Sequence, residues 1–374
     1  MWTVAVITPL AVGAAILAPM AASGAADLPD KTVAELLEFA AASDVDALSG
    51  TIEQTSELGL PDLEGLGGDP DLREDPGAPQ AAQIDDLLAL VTGTHTANVY
   101  LDGPSARLQV LDQLAERNVY VDGEAREAWF VDSETLTATR LTLPDEAALE
   151  HPNGDNPDAD DTLTTPDTLL DDALARLDES TEVTVGTDAR VAGREVYELI
   201  LEPRTDDTLI GEIRFAIDGE NGVALAASVT PRGADDPAFE AAFSRVSFET
   251  PDASVFAFTP SGDFRVADKE LALPSAEEWA QHQAQGHPGD AAGPVVHGEG
   301  WSAVVEISGA DAGASVLTQL DPDQLRMLQR VTTPVDGGRV LQMSLVSVLI
   351  TDDGRILAGA VTPSRLVEAA ETGR

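Results

Sequence analysis

The chain is 374 residues long and carries a formal charge of −46, from 67 acidic against 21 basic residues, and it has no cysteine. A surface this acidic repels nucleic acid and anionic membrane over most directions of approach. The missing thiols exclude disulfides, thiolate metal sites and a cysteine nucleophile. A hydrophobic content of 43% is ample for a core, and the length allows two or three domains.

Residues 1–26 stand apart. From Trp2 to Ala22 there is no charged residue, and the small, polar Ala22-Ser23-Gly24-Ala25-Ala26 follows. This is the pattern of a signal-peptide apolar region with its cleavage zone, although no Lys or Arg precedes it. The run also has the length of an uncleaved anchor. Pro9 and Pro19 make it a poor spanning helix, so cleavage is the expectation. Either outcome places the folded part outside the cytoplasm.

The next segment predicts a helix over 32–41. Thr32 and Glu35 have capping-box spacing, and Val33, Leu36, Leu37 and Ala40 recur on one face. Leu48 to Ser56 alternates as a strand. A Gly-, Pro- and Asp-rich loop follows, and then a short amphipathic piece over Ile84–Leu90. Strands are expected at His95–Leu101, Ala106–Leu111, Val119–Asp122, Glu127–Val131 and Thr135–Leu143, with Asp122-Gly123 as a hairpin cue. An acidic, proline-bearing loop covers 144–166, and Leu170, Leu174 and Leu177 mark a short helix.

Strands resume at Glu182–Val185, Glu195–Glu202, Leu209–Asp218, Val223–Thr230 and Phe239–Phe248. In the third of these, Leu209, Ile213, Phe215 and Ile217 share one parity, whereas Glu212, Arg214 and Asp218 occupy the other. A period of two places the first set on one face of a sheet and the charges in water. In the last strand Phe239, Ala241 and Phe243 have one parity but Val246 and Phe248 the other. That switch predicts a β-bulge near Ser244.

Residues 267–299 read as a flexible linker. A unit over 300–374 is predicted to hold a strand at Trp301–Ile307 and a helix after Asp321-Pro322. A hairpin of Val340–Thr351 with Arg355–Val361 and a final helix after Thr362-Pro363 complete it.

Several of these pieces together resemble the LolA-like lipoprotein-carrier family in its two-part, actinobacterial form. They are Asp122-Gly123, Trp129-Phe130-Val131-Asp132 and Thr135 to Arg140, with Leu48 to Thr55, Arg190 to Leu199 and Phe256 to Pro260. The resemblance covers about residues 28–266. It implies an α+β fold over 27–266, a curved, unclosed antiparallel β half-barrel with covering helices, followed by a small C-terminal α+β domain. It further implies that an apolar lining accepts lipid or the acyl chains of lipoproteins. In the RseB-like members of this fold a second small domain contacts a membrane-bound anti-sigma partner, so an envelope-stress sensor is the alternative expectation.

The residues expected to line the apolar interior are Trp129, Val131, Leu199, Ile213, Phe215 and Phe243. A packed core needs the same residue types, so sequence leaves pocket and core open. No catalytic motif is present, and neither a metal site nor a cofactor is expected. Asn156 to Asp161 lacks the glycine and glutamate of an EF-hand. His282, His287 and His297 fall in the expected linker without the spacing of a helix or strand face, which is the habit of solvated histidines. Lone His95 alternates with Ala97 and Val99.

Overall fold

A computed structural model describes residues 28–59, 93–111, 115–142, 165–270, 295–307 and 322–372. The expected N-terminal export segment, the piece over 84–90 and the acidic loops at 69–76 and 145–161 lie outside them.

Thirteen strands make one large sheet. They are β1 (Ala47–Ser56), β2 (Gly93–Asp102), β3 (Ser105–Leu111), β4 (Glu116–Asp122), β5 (Glu127–Asp132) and β6 (Thr137–Thr142), then β7 (Thr181–Val185) and β8 (Ala189–Val191). The rest are β9 (Arg194–Pro203), β10 (Ile210–Asp218), β11 (Ala224–Pro231), β12 (Phe239–Ser247) and β13 (Arg265–Glu270). The order is β13-β6-β5-β4-β3-β2-β1-β12-β11-β10-β9-β7, with β8 also on β9, so the curved sheet stays open between its β13 and β7 edges. Two antiparallel meanders, β1–β6 and β9–β12, are joined where β1 pairs with β12. Only β13 runs parallel to its neighbour, β6.

The bulge expected near Ser244 is present: Thr51 pairs with Arg245 and Ile52 with Phe243, so Ser244 is the extra residue. Gly50 is required beside it, because a Cβ there would sit 2.6 Å from the Phe243 ring and from the Arg245 carbonyl oxygen.

Two helices pack on this sheet. In α1 (Val33–Ala41), the Glu35 amide donates to Thr32 Oγ1 (3.3 Å) while the Thr32 amide donates to the Glu35 carboxylate (2.8 Å), completing the capping box. It lies against β7 and β9. The second, α2 (Pro166–Ala175), packs on β11 and includes Leu170 and Leu174 of the expected short helix; Thr165 caps it with Pro166 in the first turn.

The second sheet has six strands in the order β14-β15-β19-β18-β17-β16. They are β14 (Val295–His297), β15 (Val304–Ile307), β16 (Thr333–Val335), β17 (Gly338–Gln342), β18 (Ser347–Thr351) and β19 (Ile356–Gly359). It is accompanied by α3 (Pro322–Val331) and α4 (Pro363–Thr372). Val304, Val340, Leu349, Leu357 and Val361 form its core with Leu366 and Ala369 of α4.

Several expectations change here. Trp301 is in a 3-10 turn, Gly300–Ser302, and its indole donates to Thr181 Oγ1 at 2.8 Å. The expected strand over 340–351 is two strands, turned back by a Met343 N–H to Val346 oxygen bond of 2.8 Å. Within the expected linker, Ala267–Glu270 belong to β13 and Val295–His297 to β14. His297 is bonded to the buried Glu306 at 2.8 Å rather than solvated.

The two sheets touch through backbone. Thr208 and Val361 form an antiparallel bridge, the Leu209 amide donates to the Ala360 oxygen (2.9 Å), and the Thr362 amide donates to the Asp207 oxygen (2.8 Å). The Ser344 amide adds a bond to the Leu58 oxygen at 2.9 Å. Among the described residues no helix is long and apolar enough to cross a membrane.

Candidate ligand-binding face of the large sheet

Cross-strand register sorts the side chains of β1–β6 onto two faces. On one face, Leu48, Leu101, Ala106, Val121, Ala128 and Leu141 form a row across six strands. Beside it run Gly50, Val99, Leu108, Val119 and Phe130, which ends on Thr139. Two adjacent rows are thus apolar, as a period of two requires when one face avoids water. Val99 is fully buried, but Leu101, Leu108, Val119, Val121 and Leu141 are only half-buried and Phe130 is 36% exposed.

The same face continues across β12 to the other half of the sheet. Ile52 pairs with Phe243 and Gln54 with Ala241; Ala241 then pairs with Ala227, Ala227 with Phe215, and Phe215 with Leu199. Here the face is covered. Leu36 and Ala40 of α1 and Leu170 of α2 close on Tyr197, Leu199, Leu201, Phe215, Ile217 and Ala227. Leu199 is 0% and Phe215 2% exposed, so this half is a packed core. Burying such a side chain contributes about 1.5–3 kcal/mol.

The opposite face of β1–β6 is polar and aromatic. Tyr120, Trp129, Val131 and Ala138 pack under Phe258 and Phe264, with Phe258 stacked on Tyr120 at a centroid distance of 5.2 Å. Arg107 lies over the Tyr120 ring at 4.8 Å and donates to the Val255 oxygen.

The six residues expected to line one interior therefore separate. Leu199, Phe215 and the partly buried Ile213 meet under α1 and α2. Phe243 shares their face but belongs to a second cluster with Leu48, Ile52 and Val99. Trp129 and Val131 lie on the reverse face. The residue of that strand on the apolar face is Phe130, which sequence reading passed over. Ala128-Trp129-Phe130-Val131 is apolar at both parities, so alternation could not choose. Only its pairing with Val119, and through it with Leu108 and Val99, decides.

Charges around the covered half are tightly held. Asp218 is fully buried; it bonds the Arg194 guanidinium and accepts the Glu220 and Asn221 amides at 3.0 and 2.9 Å. It thereby sets the turn that ends at Gly222, where φ is +78° and a Cβ would meet the Phe39 oxygen at 2.7 Å. Asp167, in the first turn of α2, accepts the Ala224 amide at 3.0 Å and so ties the helix to β11. Burial pushes its carboxyl above the ordinary value, more than that bond lowers it. Burial likewise raises Glu198, against the pull of Arg214, and Glu240.

No protein-family model and no curated protein matches this chain. Among solved structures, it is similar to one described as the complex of MucA and MucB from Pseudomonas aeruginosa, at 14% identity and a TM-score of 0.42 over 90% of this chain and 96% of that one. A LolA superfamily protein from Nitrosomonas europaea matches 61% of this chain and 99% of its own at 11% identity and a TM-score of 0.23. A putative outer membrane lipoprotein-sorting protein domain from Vibrio parahaemolyticus matches 60% of this chain and 95% of its own, at 11% and 0.22. The functional reading rests on the geometry of this chain.

Proposed function

We propose that the protein is an extracytoplasmic, non-enzymatic binder of lipid or lipoprotein acyl chains, which it holds against the apolar face of β1–β6. The observation that carries this reading is the pair of apolar rows in which Leu101, Leu108, Val119, Val121 and Leu141 stay half-buried and Phe130 exposed, on a sheet whose other half has the same face covered by helices. An acyl chain laid along those rows gains about 0.8 kcal/mol per methylene removed from water. The uncharged Trp2–Ala22 run supports export. The ligand domain is residues 27 to about 270 and the second domain begins near residue 300. Native mass spectrometry of protein exported from an actinobacterial host tests the reading: copurified acyl species support it, and an apo mass that takes up no added lipid refutes it.

A second reading, an envelope-stress sensor of the RseB-like kind acting on an anti-sigma factor, draws support from the small sheet. On the face away from α4, Val296, Val305, Ala358, Val348 and Leu341 form a row, beside Ile307, Ile356 and Ile350. Val296 is 60% exposed. A pull-down that requires residues 300–374 favours this reading.

A further inference from the structure

The second apolar row of β1–β6 has two unlike ends. Toward β6 it turns polar at Thr139. Toward β1 it reaches Gly50, which has no side chain to continue it. The gap is filled from the neighbouring strand. A Cβ on Gly50 would sit 2.6 Å from two carbons of the Phe243 ring, so a ring of β12 stands where a side chain of β1 would be.

The bulge at Ser244 permits this. Phe243 faces Ile52 and Val246 faces Gly50, so two residues three apart in β12 share one face. The Ser244 hydroxyl holds the bulge by donating to the Thr51 oxygen at 3.2 Å. Phe243 is 3% exposed, in a cluster with Leu48, Ile52 and Val99 on one side of β12 and Leu225 of β11 on the other. Burial then relaxes along the row: Val99 is sealed, Leu108 and Val119 are half-buried, and Phe130 is exposed. No charged side chain stands in either apolar row from β1 to β6, in a chain of charge −46.

We propose that the Phe243 ring is the inner stop of the acyl track and sets the length of chain the protein accepts, an inference that rests on the acyl reading above. The chain lies across the strands with its methyl end against the ring. Its ester end lies at Thr139, whose hydroxyl donates to the ester carbonyl. Four strand spacings of about 4.8 Å separate β2 from β6, a reach of about 19 Å. Half of a bilayer core is about 15 Å thick, so the track takes one chain of ordinary membrane-lipid length. A longer chain finds no further apolar place. The close-packed cluster around Phe243 does not yield, and the surplus methylenes stay in water.

The test is a titration of the full chain with monoacylglycerols of decanoyl, lauroyl, palmitoyl and lignoceroyl chains, delivered from cyclodextrin. Up to palmitoyl, affinity should rise about fourfold per methylene, and lignoceroyl should bind no more tightly than palmitoyl. Phe243→Ala should raise the ratio of lignoceroyl to palmitoyl affinity about tenfold. Phe243→Leu, which keeps a branched apolar side chain in the cluster, should raise it about fourfold. Affinity that keeps rising to lignoceroyl in the unaltered chain would overturn the proposal, whether or not either variant folds. So would a ratio that a folded variant leaves unchanged. Binding of none of the monoacylglycerols would instead refute the acyl reading itself, and this proposal with it.

Discussion

One face of one sheet is treated in two ways. Over β9–β11 it lies beneath α1 and α2, with Leu199 and Phe215 sealed from water. Over β2–β6 the same face keeps Leu108, Val119 and Val121 half-buried and Phe130 exposed. Both halves carry apolar side chains in cross-strand register on this face, so apolar alternation alone does not define a binding surface. What differs is the cover over the first half, to which the capped helices α1 and α2 supply Leu36 and Leu170. The covered half is a packed core, and the half-buried rows beyond it are where the proposed ligand would lie.

The comparison breaks first at Phe215. Phe215→Ala should cost about 3–5 kcal/mol in chemical denaturation, because it opens a cavity in a close-packed cluster. A cost below about 1 kcal/mol would mean the covered half is not packed as described. Arg194→Ala should be nearly as damaging, at about 3 kcal/mol, since it strands the buried carboxylate of Asp218 without its cation.

A pH titration sharpens the same contrast. Burial raises Asp167, Glu198 and Glu240 in the folded chain, so the folded state holds protons that the unfolded chain has lost. Stability should therefore fall as pH rises from the ordinary carboxylate range through the raised values, as far as these groups contribute. Asp167→Asn keeps an acceptor for the Ala224 amide, removes one such group and should flatten that slope. An unchanged slope would show that burial does not raise Asp167.

The smallest effect on stability belongs to Phe130→Asp. On the open half it should shift unfolding by no more than about 0.5 kcal/mol, as surface substitutions do. Acyl uptake, by contrast, should be lost, because a charge then sits within the apolar face beside Val119 and Ala128. Unaltered uptake would remove Phe130 from the site.

Much of this fold was legible in the sequence, and the reasons are local. The Thr32/Glu35 box, the Asp122-Gly123 turn and the parity switch at Ser244 each encode a backbone event within a few residues. Short strands such as β8, three residues long, leave too little alternation to read. β13 is recognisable only by its partner β6, which is over a hundred residues away in the chain. The run at 340–351 holds no Gly, Pro, Asn or Asp, so the turn at Met343–Val346 carries none of these turn residues. The site was less legible than the fold. Trp129 and Val131 suit a buried face as well as Phe130 does, so the sequence of β5 does not tell which parity meets the apolar rows. Which half stays open depends on where helices land, and that is a tertiary fact.

Photo-crosslinking with a diazirine-bearing fatty acid, followed by peptide mapping, tests the central claim most directly. The account predicts labels on β2–β5, at Leu108, Val119, Val121 and Phe130, with the β9–β11 peptides unlabelled. Labels confined to Leu199, Ile213 and Phe215 beneath the helices, or no labelling of the folded chain, would contradict it.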